Sequence, residues 1–317
     1  MPFLLSLLML ALATAVSPAA KAADKAPAVV VTLKPLHGLA AAVMQGTGVP
    51  HLLIPGAVSP HTYTMKPSDA RRLAAAAVVF RVGPNLETFL ERPLKALASK
   101  ARLVDLINTP GLRLHAYRDL GHGEAHGHDH GHKHEHKDAP AGKHPGTDPH
   151  IWLDPVNASR MAERMAAALA AADPPRAARY RQNAAQLQSR LSQLDRDLGA
   201  ALKPLAGRPY VVFHDAYQYL EAPYGLAPAG VIALSPDKQP GAQHIRRIRH
   251  TIADMGARCI FAEPQFPARL IDTIAADSPA RTAVLDPLGS AAEPGPGAYE
   301  AIMRTIAATL TGCLGDK

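Results

Sequence analysis

The sequence predicts an α/β protein of two lobes, each with a mainly parallel sheet, joined by one long rigid helix. Three observations predict this. Short apolar or β-branched runs alternate with segments of helical periodicity, the pattern of a parallel sheet covered on both faces. The alternation occurs twice, on either side of a single long amphipathic stretch. The 317 residues exceed one ordinary core and suit two domains. Apolar residues make up 47% of the chain but aromatics only 5%, so the apolar content leans on alanine, which suits helices packed closely on sheets.

The first element is a secretory signal over residues 1–22. An apolar run from Phe3 to Val16 is followed by Ser17, Pro18 and the small-x-small pattern Ala20-Lys21-Ala22, which predicts cleavage before Ala23. The run is short of the ~20 residues a membrane span needs. No Lys or Arg precedes it, and no cysteine near the cleavage site offers lipid attachment. The expected location is outside the cytoplasm.

Residues 23–173 form the expected N-terminal lobe. "AVVVTLKPLHGLAAAVMQG" pairs a β-branched run with a helical pattern, and "HLLIPG", "AVVFRVG" and "RLVDL" read as strands between helices near "KPSDARRLAAA" and "NLETFLERPLKALAS". Within this lobe, residues 115–148 hold Gly, His, Asp, Lys and Pro with almost no apolar side chains, so they read as a mobile insertion outside the core.

Residues 174–204 are the expected linking helix. Tyr180, Ala184, Leu187, Leu191, Leu194, Leu198 and Leu202 step by four and three, Pro175 opens the stretch and Pro204 closes it. About 29 residues at 1.5 Å rise give a rod of roughly 43 Å. The apolar stripe covers little more than three heptads, which favours burial against the protein's own lobes over a coiled-coil dimer, so a monomer is expected. Residues 205–317 then repeat the alternation: "PYVVF", "GLAPAGVIAL", "ARCIFAE" and "RTAVLD" read as strands, with helices over "GAQHIRRIRHTIADMG" and "ARLIDTIAADS" and a last helix near Cys313.

The two cysteines, Cys259 and Cys313, read as one disulfide in an exported chain; the other use, a zinc site, lacks C-x-x-C spacing. The formal charge of +7 is spread over the helices without an aromatic-plus-basic cluster, which gives no support to nucleic-acid binding.

Sixteen histidines stand out. Eight of them, His122, His126, His128, His130, His132, His134, His136 and His144, fall between residues 122 and 144 of the insertion. Three others have unusual contexts: His61 in "SPHTY", His150 in "DPHIWLDP" and His214 in "VVFHDAY". His61 and His214 follow strands, as does Asp286 in "AVLDPLG", and ligands of open α/β sheets bind beyond the carboxyl ends of strands. Three imidazoles and a carboxylate can form a tetrahedral zinc site, provided the two lobes face each other. A lone histidine near a strand end is more often a hydrogen-bonded loop residue, and the aspartate of "LDP" a turn residue, so spacing by itself leaves the set open.

The stretches "PGAVSPHTYTMKPSDARRL", "DPHIWLDP", "VVFHDAYQYLEAPYGL", "LSPDKQPGAQHI", "CIFAEPQF" and "LDPLG" resemble, in order, the ZnuA-type zinc-binding proteins of bacterial ABC importers. The resemblance covers nearly the whole mature chain. It implies a metal site in the cleft between the lobes, with Zn²⁺ as cargo, His61, His150 and His214 as ligands, Asp286 as the late aspartate, and a Cys259–Cys313 disulfide. Where some members carry an acid immediately before the first histidine, this chain has Pro60, so Asp286 or water must complete the shell, and Asp286 is the expected fourth ligand. Manganese-type relatives use a carboxylate where His214 stands, and a third imidazole favours zinc over manganese. Asp148, Asp154, Asp215 and Glu263 are candidates for orienting the imidazoles rather than for ligation.

The insertion, with "HGHDHGHKHEH" at residues 126–136, is expected to be an accessory metal-binding loop. Ordering it for one geometry would oppose binding by ~1–2 kcal/mol per residue fixed. The implied function is a periplasmic solute-binding protein that delivers zinc to a membrane ABC permease, without a catalytic cycle. A periplasmic zinc buffer or metallochaperone is the alternative, followed by a zinc hydrolase or a metal-dependent adhesin. The chain lacks the H-E-x-x-H of zinc proteases.

Overall fold

The structure, a computed structural model, describes residues 26–118, 146–233, 240–276 and 278–316. The expected signal segment 1–22 and the eight histidines from His122 to His144 lie outside these residues. Among the described residues no helix is long and apolar enough to cross a membrane.

The first lobe contains β1 (Val29–Val31), α1 (Lys34–Val43), β2 (His51–Leu52), α2 (Pro67–Ala74), β3 (Val78–Arg81), α3 (Glu91–Leu97) and β4 (Arg102–Asp105). Its four strands are parallel in the order β2-β1-β3-β4. α4 (Pro155–Ala172) follows the insertion and opens at Asp154, whose carboxylate accepts from the backbone N–H of Val156 at 2.8 Å. Such a side-chain cap satisfies a donor that a helix N-terminus otherwise leaves unpaired.

α5 (Ala177–Leu202) is the expected rod. Its 26 residues span about 39 Å at 1.5 Å per residue, somewhat less than the length read from the prolines. Pro175 and Pro204 lie in short 3₁₀ turns that flank the helix, at Pro174–Arg176 and Lys203–Leu205. All seven residues of the predicted stripe are buried, and they pack against α4, α1 and α9 (Ala298–Leu314).

The second lobe repeats the first. β5 (Tyr210–His214), α6 (Gln218–Tyr224), β6 (Gly230–Ala233), α7 (Ala242–Asp254), β7 (Cys259–Ala262), α8 (Ala268–Ala275) and β8 (Arg281–Val284) build a parallel sheet in the order β6-β5-β7-β8. The period of two is visible in β5. Tyr210 and Val212 join the large core with α5 and α9, while Val211 and Phe213 face a smaller core with Ile248 and Ile274.

α9 departs from a simple two-lobe division. It ends the chain but packs on α1 of the first lobe as well as on α5. Gly38 makes this crossing possible: a Cβ there would stand 2.7 Å from the backbone nitrogen of Tyr299. α1 is consequently buried along its whole length. Cys259 and Cys313 form a disulfide with Cα atoms 6.1 Å apart, pinning α9 to β7 of the second sheet.

Polar contacts also cross between the lobes. Trp152 Nε1 donates to the carbonyl of Pro287 at 2.9 Å, and Tyr299 Oη to that of Trp152 at 2.8 Å. Lys34 Nζ donates to the carbonyls of Ser290 and Ala292, each at 2.8 Å. Arg118, at the root of the insertion, pairs with Asp215 and, at 2.7 Å, with Glu221.

Candidate metal centre

Three side chains from distant parts of the chain meet where the sheets' carboxyl ends face each other. His214 is the last residue of β5, His61 lies on the loop between β2 and α2, and His150 immediately precedes a 3₁₀ turn, Ile151–Leu153. One ring nitrogen from each lies within 4.8 Å of the others, a group able to hold a metal ion. His150 and His214 are buried, whereas His61 is half-buried. Trp152, Gln265, Phe266 and Pro60 also line the pocket.

Two imidazoles are oriented by carboxylates. His150 Nδ1 lies 2.6 Å from Asp148 Oδ1, and His214 Nδ1 lies 2.7 Å from Glu263 Oε1. An ionised carboxylate accepts only, so each Nδ1 carries a proton, and each ring when neutral presents its Nε2 lone pair. These two Nε2 atoms face each other at 3.4 Å. Two nitrogens on a tetrahedral zinc at ~2.0–2.1 Å stand about 3.3–3.4 Å apart, so the observed spacing matches a shared cation.

Burial alone would lower the pKa of His214, but Glu263, followed by Asp148 and Asp215, outweighs it and holds the imidazole above its ordinary value.

Of the four acidic neighbours read from the sequence, Asp148 and Glu263 contact the imidazoles. Asp154 instead caps α4 and lies 3.5 Å from Arg113, and Asp215 pairs with Arg118. Asp286 is not brought into the histidine group. Its Oδ1 accepts from Leu288 N at 3.0 Å and Gln265 Nε2 at 2.9 Å, and its Oδ2 from Ser290 N at 2.5 Å. A carboxylate two residues beyond a strand meets its own turn's amides first, and that local capture is what spacing did not reveal. Gln265 and Trp152 were overlooked as pocket residues, although both lie inside the stretches "CIFAEPQF" and "DPHIWLDP".

Two parallel-sheet lobes on one rigid helix, with imidazoles converging between them, define a cleft-type binding protein. Residues 29–313 match the family described as zinc-uptake complex component A, periplasmic, and the chain belongs to that family. It is 42% identical to the high-affinity zinc uptake system protein ZnuA of Brucella abortus (strain 2308), over 90% of this chain and 91% of that protein. Identity to the same-named protein of Paracoccus denitrificans (strain Pd 1222) is 37%, over 96% of each. Among solved structures, a crystal structure of ZnuA superposes with a TM-score of 0.75 over 92% of this chain and all of that one, at 24% identity. A zinc-bound ZnuA deletion mutant gives the same TM-score at 25% identity, over 92% of this chain and 99% of that one.

Proposed function

We propose that this chain captures Zn²⁺ in the periplasm, holds it on His61, His150 and His214 in the cleft, and delivers it to a membrane ABC permease. The observation that carries the assignment is the pair of Nε2 atoms facing each other at 3.4 Å, with a buried carboxylate on the opposite nitrogen of each ring. Without a cation or a shared proton between them, two acceptors at that distance repel. Imidazole nitrogens suit zinc, and the family's curated relatives are named for zinc uptake. Because Asp286 is engaged with its own turn, a water is the proposed fourth ligand. The carboxylates beside the triad, Asp148 and Glu263, are engaged on imidazoles, which favours cargo binding over hydrolysis. The proposed division of the chain is a signal peptide at 1–22, lobes at 23–173 and 205–317, and a linking helix at 174–204.

The test is a chelator-competition zinc titration on the mature protein, repeated with residues 122–144 deleted and with His61→Ala. One tight equivalent is expected to survive the deletion and to vanish with His61→Ala. If tight binding leaves with the deleted segment instead, the histidine tract is the principal site and the assignment fails.

Affinity should also depend on pH with a definite sign. Ligating imidazoles must be neutral, so protons compete with the metal. Because His214 is held above its ordinary value, zinc affinity is expected to be full at high pH and to start falling before pH reaches the usual ~6.5. For the metal-free fold the sign reverses. The stabilisation from protonated His214 is complete below the unfolded value and is lost as pH rises through the raised folded value. Zinc titrations and thermal melts across about pH 5 to 8 would check both, and a flat affinity profile would contradict the imidazole site.

A further inference from the structure

Three imidazoles leave one position of a tetrahedral zinc open. Gln265 lines the same pocket as the triad, on the segment between β7 and α8. Its Nε2 lies 2.9 Å from the carbonyl of Gly56, 2.9 Å from Asp286 Oδ1 and 3.3 Å from Ser290 Oγ. Ser290 Oγ in turn donates to the Gly56 carbonyl at 2.7 Å. This seam fixes which way the amide points. Reversed, Gln265 Oε1 would face the Asp286 carboxylate and the Gly56 carbonyl, acceptor against acceptor.

The frame around the amide is itself constrained. Asp286 is anchored by the amides of Leu288 and Ser290, and Lys34 holds the Ser290 carbonyl from the other lobe. At Gly56 a Cβ would come within 2.8 Å of Ser290 Cα, so only glycine brings its carbonyl this close. Gly56 sits on the loop that carries His61, so the seam ties that loop to the second lobe. The other end of the amide is in the opposite condition. Gln265 Oε1 is buried and has no hydrogen-bond partner among the described residues.

A buried acceptor with nothing to accept from, in the wall of a three-imidazole pocket, calls for a donor. We infer that Gln265 Oε1 accepts a hydrogen bond from the water that completes the metal shell, and that Asp286 is a positioning residue that sets the amide rather than a ligand. The inference rests on the zinc-binding reading of the triad. A neutral amide oxygen is not among zinc's usual protein ligands, which assigns the metal contact to the water and the orienting contact to Gln265. A water held by the metal and by a fixed acceptor is oriented for four-coordination, as partners outside the ligand shell orient the imidazoles themselves.

The experiment is a double-mutant cycle on the mature protein, with Zn²⁺ affinity from chelator competition and the visible spectrum of the Co²⁺-loaded protein as readouts. Gln265→Ala is expected to weaken zinc by about tenfold or more while keeping one equivalent, the range for outer-shell partners. Asp286→Asn is expected to weaken it less, and to add nothing in the Gln265→Ala background, because it acts through the same amide. The Co²⁺ d–d bands of Asp286→Asn should keep their wild-type positions. Unchanged affinity in Gln265→Ala overturns the inference. So does an Asp286→Asn loss that persists in full in the double variant with shifted Co²⁺ bands, which would make Asp286 a ligand. Should Gln265→Ala fail to fold, the Co²⁺ spectrum of Asp286→Asn decides alone. If His61→Ala leaves affinity intact, the zinc-site reading itself has failed, whatever Gln265 does.

Discussion

His214→Ala is expected to weaken zinc binding by more than about 100-fold, beyond the range seen when only an outer-shell partner is lost. The substitution removes one imidazole of three and strands Glu263, a buried carboxylate whose Oε1 now contacts that ring. A buried carboxylate that loses its imidazole partner bears an added desolvation cost, which compounds the loss of the ligand. His150→Ala should behave alike through Asp148. Glu263→Gln keeps the imidazole and accepts its N–H without charge, so its loss should fall within about 10–100-fold. The ranking is the informative result. Equal losses in His214→Ala and Glu263→Gln would mean that the carboxylate, not the imidazole, carries the metal.

Removing the disulfide is expected to give the largest change in stability that leaves the cleft intact. Cys259 and Cys313 are 54 residues apart in sequence, and closing a loop of that size stabilises by ~4 kcal/mol in the chain-entropy model. Both half-cystines are buried in the core shared by the second sheet, α5 and α9. Paired alanine substitutions of both cysteines should therefore lower the urea midpoint of the metal-free protein. One equivalent of zinc should still bind, since neither cysteine lines the pocket. A midpoint within experimental error of the wild type would show that packing of α9 on α1 and α5 already holds the helix without the covalent link.

These expectations depend on long-range contacts to very different degrees. The linking helix could be read almost residue by residue. Its stripe from Tyr180 to Leu202 follows the helical period, and all of it is buried. The strands were equally legible, because β-branched runs between turn signals need little information beyond their own composition. The helical pattern over "NLETFLERPLKALAS" is longer than the helix it forms. Thr88–Leu90 is a 3₁₀ turn, and α3 begins only at Glu91. At that point local geometry near Pro93 overrides periodicity.

The histidines divide along the same line. Each of His61, His150 and His214 could be picked out by its local setting, since each sits where a strand or turn delivers a side chain to the sheet's carboxyl edge. Their convergence within 4.8 Å depends on how two lobes are set against each other, which no local pattern encodes. The aspartates are harder still. Asp148 and Asp154 look alike in "TDPHIWLDP", yet one orients His150 and the other caps α4. Which role each takes depends on the direction of the backbone a few ångströms away.

By itself the sequence determined the α/β class, the long helix, the paired cysteines and the set of candidate imidazoles. These follow from periodicity, proline placement and residue chemistry, all of which act over a few neighbouring residues. Only the tertiary structure decided that α9 crosses back onto α1 at Gly38, that Asp286 is captured by Leu288, Ser290 and Gln265, and that Gln265 lines the pocket with its Oε1 buried and unpartnered among the described residues. Those outcomes are settled by pairings such as Gly56 with Gln265, 209 residues apart, where steric fit and donor–acceptor matching choose among partners that are equally suitable in sequence.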